Sequence, residues 1–159
     1  MRNTGHWHGR NKKPERQGNM HITLESDYAL RIVLFLLQRG ERTDAAQIAR
    51  ETGVTLRFAL KILRKLVAAG LVKSFKGALG GYEPAKNPEE ISMRDVIEAI
   101  EGVYCLNRCL NPAVGCSRNM EDCCPIHRSF GRISETVRQM LEEQTFDKFL
   151  AETNAQKTE

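Results

Sequence analysis

Residues 43–70 read TDAAQIARETGVTLRFALKILRKLVAAG, two helical periods with almost nothing between them. The first opens on Thr43 as N-cap and closes on Gly53; the second opens on Thr55 and closes on Gly70. Small hydroxyl residues satisfy the free N–H groups of a helix start, and glycine admits the left-handed backbone of a helix end. In the second period Ala59, Ile62 or Leu63, Leu66 and Ala69 form one inward stripe. Only Gly53-Val54 joins the two, and Ala49, four before Gly53, leaves room for the helices to approach. That is the shape of a helix-turn-helix, whose second helix enters the DNA major groove.

The flanks extend the same reading. Upstream, TLESDYALRIVLFLLQRG (23–40) places Leu24, Ala29, Ile32, Val33, Leu36 and Leu37 at helical spacing, with Thr23 or Ser26 as cap and Gly40 as stop. Downstream, two short extended runs, 71–75 and 81–84, flank Gly77-Ala78-Leu79-Gly80-Gly81, which predicts a β-hairpin, or wing. SMRDVIEAIEG (92–102) predicts a further helix with a Ser92/Asp95 start and a Gly102 stop. The order helix, helix-turn-helix, hairpin is a mainly α fold with a small β-wing, a winged helix. PIHRSFGRISETVRQMLEEQTFDKFL (125–150) predicts one long helix, in which Ile126, Phe130, Ile133, Val137 and Met140 or Leu141 alternate four and three apart. A long helix with such a stripe wants a partner, and a two-fold protein matches a palindromic double-stranded DNA site.

Charge is informative only locally. Residues 1–19 carry Arg2, Arg10, Lys12, Lys13 and Arg16 against Glu15, which accounts for the whole formal net charge of +4. With no apolar periodicity they read as a disordered basic tail, Met20 being an alternative start. Residues 55–86 hold Arg57, Lys61, Arg64, Lys65, Lys73, Lys76 and Lys86 against Glu83 alone. This excess falls on the second helix and the wing, where DNA phosphates would need neutralising. Candidate DNA contacts are Thr55 to phosphate, Arg57, Phe58 and Lys61 on the helix, and Lys76 with Gly77, Gly80 and Gly81 at the minor groove; Phe58 reads equally well as a core residue. No apolar run reaches membrane-spanning length and the N-terminus lacks the apolar stretch of a secretory signal, so the expected location is the cytoplasm.

In that compartment clustered cysteines bind metal or do redox chemistry more often than they form structural disulfides. All five, Cys105, Cys109, Cys116, Cys123 and Cys124, fall in CLNRCLNPAVGCSRNMEDCCPIH (105–127), which ends on His127. The six-residue gaps between Cys109 and Cys116 and between Cys116 and Cys123 are loose for zinc. They suit an iron–sulfur cluster wrapped by loop thiolates, with zinc second and a thiol switch third. Of the adjacent pair Cys123 and Cys124, one is expected to bind.

ITLESDYALRIV (22–33), the helix-turn-helix, the wing and following helix KGALGGYEPAKNPEEISMRDVIEAIEG (76–102), and a three-cysteine loop before a long helix together resemble the Rrf2 family of winged-helix transcription regulators over residues 20–150. The resemblance implies a homodimer with the long helix as dimer element, and an iron–sulfur cluster that controls DNA affinity in response to nitric oxide, oxygen or redox state, or iron. The family's three loop cysteines correspond to Cys109, Cys116 and Cys124, with Cys123 and Cys105 ranked behind them. Cys124-Pro-Ile-His127 reproduces the Cys-x-x-His ending of the iron–sulfur-assembly branch, where that histidine completes a 2Fe–2S cluster. Asp27 falls where the nitric-oxide-responsive branch places an aspartate that completes a 4Fe–4S cluster from the other subunit. Both candidate fourth ligands are present; 4Fe–4S with Asp27 is preferred.

The expected organisation is a tail (1–19), a winged-helix DNA-binding domain (20–90), a connecting helix and cysteine loop (91–124), a dimerisation helix (125–150) and a second tail (151–159). The expected function is that of a repressor sensing through its cluster. A zinc-stabilised or thiol-switch regulator is the alternative. An electron-transfer or cluster-delivery protein would leave the basic helix and wing unused. No Ser/His/Asp set, phosphate loop or acid pair points to an enzyme.

Overall fold

Helix α1 (Leu24–Arg39) starts where Thr23 is extended and its hydroxyl accepts the Ser26 N–H, and it stops at Gly40. Its Ala29, Ile32, Val33 and Leu36 are buried, as the spacing predicts. The structure, a computed structural model, describes residues 22–77, 80–111, 114–116 and 123–156. The expected tail 1–19 and Met20 lie outside them, as do Ala78 and Leu79 of the wing.

Helix α2 (Ala45–Thr52) and helix α3 (Leu56–Ala68) form the helix-turn-helix. Gly53 between them has φ +70°, a conformation that costs other residues a clash with Cβ, and Val54 N–H reaches back to the Ala49 carbonyl at 2.9 Å. Thr55 caps α3 by accepting the Phe58 N–H. The cap of α2 is Asp44, not Thr43: Asp44 Oδ1 accepts from Ala46 and Gln47. Thr43 is committed elsewhere. Its backbone exchanges hydrogen bonds with Tyr82 at 3.0 and 2.8 Å, and its hydroxyl donates to the Glu41 carbonyl.

That exchange extends the wing, whose strands β1 (Val72–Phe75) and β2 (Gly81–Pro84) pair antiparallel with Val72 opposite Pro84 and Phe75 opposite Gly81. A Cβ on Gly81 would stand 2.7 Å from the Thr43 carbonyl oxygen, and one on Gly80 2.6 Å from that of Phe75. Glycine at these positions is thus required by the wing's own backbone packing. The Arg42 guanidinium lies over the Phe75 ring, 3.4 Å from its centroid, and pairs with Glu83, bracing the hairpin toward its turn end.

Helix α4 (Met93–Glu101) starts with the predicted capping box: the Ser92 hydroxyl accepts the Asp95 N–H while the Asp95 carboxylate accepts the Ser92 N–H. The core does not stop at the boundary expected near 90. Ile91, Val96, Ile100 and Phe146 belong to the same buried cluster as Ile32, Leu36, Ile48, Ala59, Ile62 and Leu66.

The segment predicted as one helix over 125–150 is two: α5 (Pro125–Glu142) and α6 (Phe146–Gln156). The chain breaks because 144–146 adds an edge to the body: Met93 N–H bonds the Gln144 carbonyl at 2.8 Å and Phe146 N–H bonds that of Ile91 at 3.0 Å. Phe146 is then 1% exposed and meets Phe149 edge to face. Residues 151–156, expected as tail, continue α6. The result is a mainly helical winged helix with a two-stranded wing. Among the described residues no helix is long and apolar enough to cross a membrane.

Candidate functional site

Helix α3 turns Ala59, Ile62, Leu63 and Leu66 inward, which leaves Thr55, Arg57, Phe58, Lys61 and Arg64 lining one open concavity of about 370 Å³. Four of these five are the helix and cap residues predicted from sequence to meet DNA; Arg64 joins them. Phe58 is half-buried, edge-on to Tyr28 of α1 with the Lys61 ammonium 5.6 Å from its ring centre, so it serves packing and surface together. Arg57 and Arg64 make no ion pair among the described residues, whereas Lys61 pairs with Glu25 at 2.8 Å. Glu25 also pairs with Lys65 at 2.8 Å. Burial pushes the Glu25 carboxyl up, but the hydrogen bonds and charges of the two lysines outweigh it and hold the group below the ordinary glutamate value. Sequence reasoning misses Glu25, because nothing local to TLESDY places it against α3. Lys76 is exposed at the wing, next to Gly77.

The second candidate region runs from the end of α4 to the start of α5. Cys109, Cys116 and Cys124 are each partly exposed and Cys123 is exposed; none of the five forms a disulfide. Cys109 sits in a short 3-10 turn (Arg108–Leu110) whose N–H bonds the Asn107 side chain. Cys124 is the N-cap of α5, its sulfur accepting the His127 N–H at 3.5 Å. Cys105 differs: its thiol donates to the Leu110 carbonyl, and burial pushes it above the ordinary thiol value despite the Arg138 charge.

These donors fit an iron–sulfur cluster by their chemistry: three accessible loop thiols, one at the start of a helix where N–H groups favour anionic sulfur. His127 Nδ1 is buried with no hydrogen-bond partner among the described residues, the condition of a nitrogen whose partner is something else. Asp27 is on α1, half-exposed and paired with Arg31 at 2.6 Å. Among the described residues no three Cys, His, Asp or Glu side chains of one chain gather closely enough to hold a metal ion.

Helix α5 is docked to the body by charge. Glu98 takes the Arg138 guanidinium at 2.7 Å and the Tyr104 N–H, and Ser134, the only buried residue of α5, accepts the Leu106 N–H. On the other side Ile126, Ile133 and Met140, seven apart, are 61%, 50% and 61% exposed. These three belong to the predicted stripe and are open to solvent, whereas its Phe130, Val137 and Leu141 are half-buried.

Residues 22–152 match the model of the Rrf2 family, described as an iron-dependent transcriptional regulator. A transcriptional regulator named NsrR from Shouchella clausii (strain KSM-K16) is 32% identical over 105 residues, covering 59% of this chain and 70% of that protein. The structure of CymR, named as the global cysteine regulator of B. subtilis, is 26% identical with a TM-score of 0.66, over 83% of this chain and 97% of that one. The structure of T. potens IscR aligns with a TM-score of 0.65 over 85% of this chain and 89% of that one; at 21% identity that likeness is one of fold.

Proposed function

The chain belongs to the Rrf2 family of transcriptional regulators, and from that premise we propose that it is a cytoplasmic repressor that binds a palindromic operator as a homodimer, with DNA affinity set by an iron–sulfur cluster. Winged-helix regulators of this family bind DNA. Here Thr55 and Arg57, with Phe58 beside them, meet the major groove, and Lys76 with the backbone of Gly77, Gly80 and Gly81 reaches the flanking backbone and minor groove. Lys61 lies on the same face and reaches phosphate only once it leaves Glu25.

The observation that carries the sensing part is position. Cys109, Cys116 and Cys124 stand between α4, a helix of the core, and α5, whose exposed Ile126, Ile133 and Met140 ask for a second copy. Anything that fixes these three thiols fixes the angle between the two recognition helices and hence the half-site spacing. The cluster, when bound, supplies an iron edge that reacts with nitric oxide or oxygen or is lost when iron is scarce. The fourth ligand in this reading is Asp27 of the second copy, which suits 4Fe–4S; His127 with its orphaned Nδ1 is the alternative and suits 2Fe–2S.

The test is the visible spectrum of protein purified without oxygen, with iron and acid-labile sulfide counted. Brown protein with matching iron and sulfide supports the reading, and whichever of Asp27→Ala and His127→Ala loses the spectrum identifies the fourth ligand. Colourless protein that takes up no iron on anaerobic reconstitution overturns it in favour of a zinc or thiol-switch regulator.

A further inference from the structure

Helix α3 carries four cations, Arg57, Lys61, Arg64 and Lys65, yet two of them turn toward a carboxylate of their own chain. Glu25, in the first turn of α1, takes Lys61 Nζ on one oxygen and Lys65 Nζ on the other, both at 2.8 Å, and its side chain is only 17% exposed. Lys65 also donates to the Ile100 carbonyl at 2.9 Å, at the end of α4. One residue on, the Glu101 carboxylate accepts from the Thr23 N–H, the Thr23 hydroxyl and the Ser26 hydroxyl, all at the start of α1. The first turn of α1, the last turn of α4 and the recognition helix are thus tied in one knot. The chain leaves that knot at Gly102 and enters the cysteine segment at once.

We infer that Glu25 is a positioning residue for DNA binding: it withholds Lys61 and Lys65 from DNA phosphates and leaves Arg57 and Arg64 as the cations the recognition helix presents. The inference rests on the DNA-binding reading above and deepens it. A clamp that merely holds α3 in place makes the opposite prediction, since losing it would misplace Arg57 and weaken binding. Withholding makes Glu25 a brake. The Lys61 side chain is 56% exposed, so its ammonium group is within reach of phosphate once the Glu25 carboxylate no longer holds it. Ile100 and Glu101, to which Lys65 and the first turn of α1 are bonded, directly precede Gly102 and the cysteine segment.

The test uses the full chain, a fluorescein-labelled random-sequence DNA duplex and anisotropy titrations over a salt series. Glu25→Gln keeps the size of the side chain and removes its charge. It is expected to bind more tightly than the unmodified protein, with the salt dependence of log K steeper by about 0.9 for each lysine released. Lys61→Gln, made in both backgrounds, is expected to leave the slope of the otherwise unmodified protein unchanged and to lower that of the Glu25→Gln protein by about 0.9. Equal or weaker binding by Glu25→Gln at an unchanged slope overturns the assignment, and so does a Lys61→Gln loss in the otherwise unmodified chain. Those results leave DNA binding intact; an unmodified protein that binds no duplex at low salt overturns the DNA-binding reading itself.

Discussion

Helix α1 buries Ser26, Ala29, Ile32, Val33 and Leu36 along its length, whereas α5, slightly longer, buries Ser134 alone. The first is held by the hydrophobic effect, with large side chains fully out of water, each contributing about 1.5–3 kcal/mol. The second is held to the body by Glu98–Arg138, by Arg94–Glu142 and by a backbone hydrogen bond to Ser134, with Ile126, Ile133 and Met140, its apolar seam, facing outward. A body that satisfies itself carries an arm that does not. In the function proposed above, the winged helix would present a fixed surface and the arm would respond to what completes it, a second copy on its seam and a cluster at its base.

The largest expected effect tests which side α6 belongs to. Phe146 is 1% exposed and packs into the cluster of α1, α3 and α4. Phe146→Ala is expected to cost about 3–5 kcal/mol in urea unfolding. On the seam, Ile133→Asp is expected to change monomer stability by less than about 0.5 kcal/mol while lowering the mass measured by sedimentation to that of one chain. A small loss from Phe146→Ala, or unfolding of the monomer by Ile133→Asp, would erase the distinction between body and arm.

What was legible in the sequence follows the same division. Local signals read true: Thr23, Thr55 and the Ser92/Asp95 pair cap where their spacing predicts, because a cap involves only the next three residues. Gly80 of the wing is legible for a similar reason, since the carbonyls of Phe75 and Gly77 that crowd it are close in the chain. Thr43 is misread as a cap because its backbone is claimed by Tyr82, a strand residue far along the chain. The continuous helix over 125–150 fails likewise: its apolar repeat is real, but Met93 and Ile91 take up Gln144 and Phe146 and break it. At the candidate site the types and order of the thiols are legible. The Glu25 pairs with Lys61 and Lys65 are not, since they depend on how α1 crosses α3.

The electrostatic dock between body and arm is expected to carry an intermediate effect with a pH signature. Burial raises the Glu98 carboxyl, but the Arg138 hydrogen bond, the Tyr104 N–H and the charges of Arg138 and Arg94 together hold it below the ordinary glutamate value. A carboxyl lowered in the folded state stabilises above its unfolded value of about 4.3 and loses that contribution as pH falls through the folded value. Arg138→Ala is expected to cost roughly 1–2 kcal/mol at neutral pH, with the gap to the unmodified protein closing in acid melts below about pH 4. A gap that stays constant with pH would mean that Arg138 acts through packing rather than charge.

The smallest effects compare one cap in each region. Asp44 accepts two N–H groups at 2.9 and 3.0 Å, so Asp44→Ala is expected to lower the stability of the body by about 1 kcal/mol. Cys124 caps α5 with sulfur, a weak acceptor, at 3.5 Å. Serine is among the best N-caps, so Cys124→Ser is expected to leave iron-free protein unchanged or to stabilise it by up to about 0.5 kcal/mol. The same variant is expected to lose the visible spectrum and the iron of protein purified without oxygen. Stability kept and iron lost together would mean that this position sacrifices a better helix cap to hold a thiolate. If Cys124→Ser kept its iron, the ligand would be sought at Cys123, the exposed neighbour, and α5 would begin at an ordinary, if poor, cap.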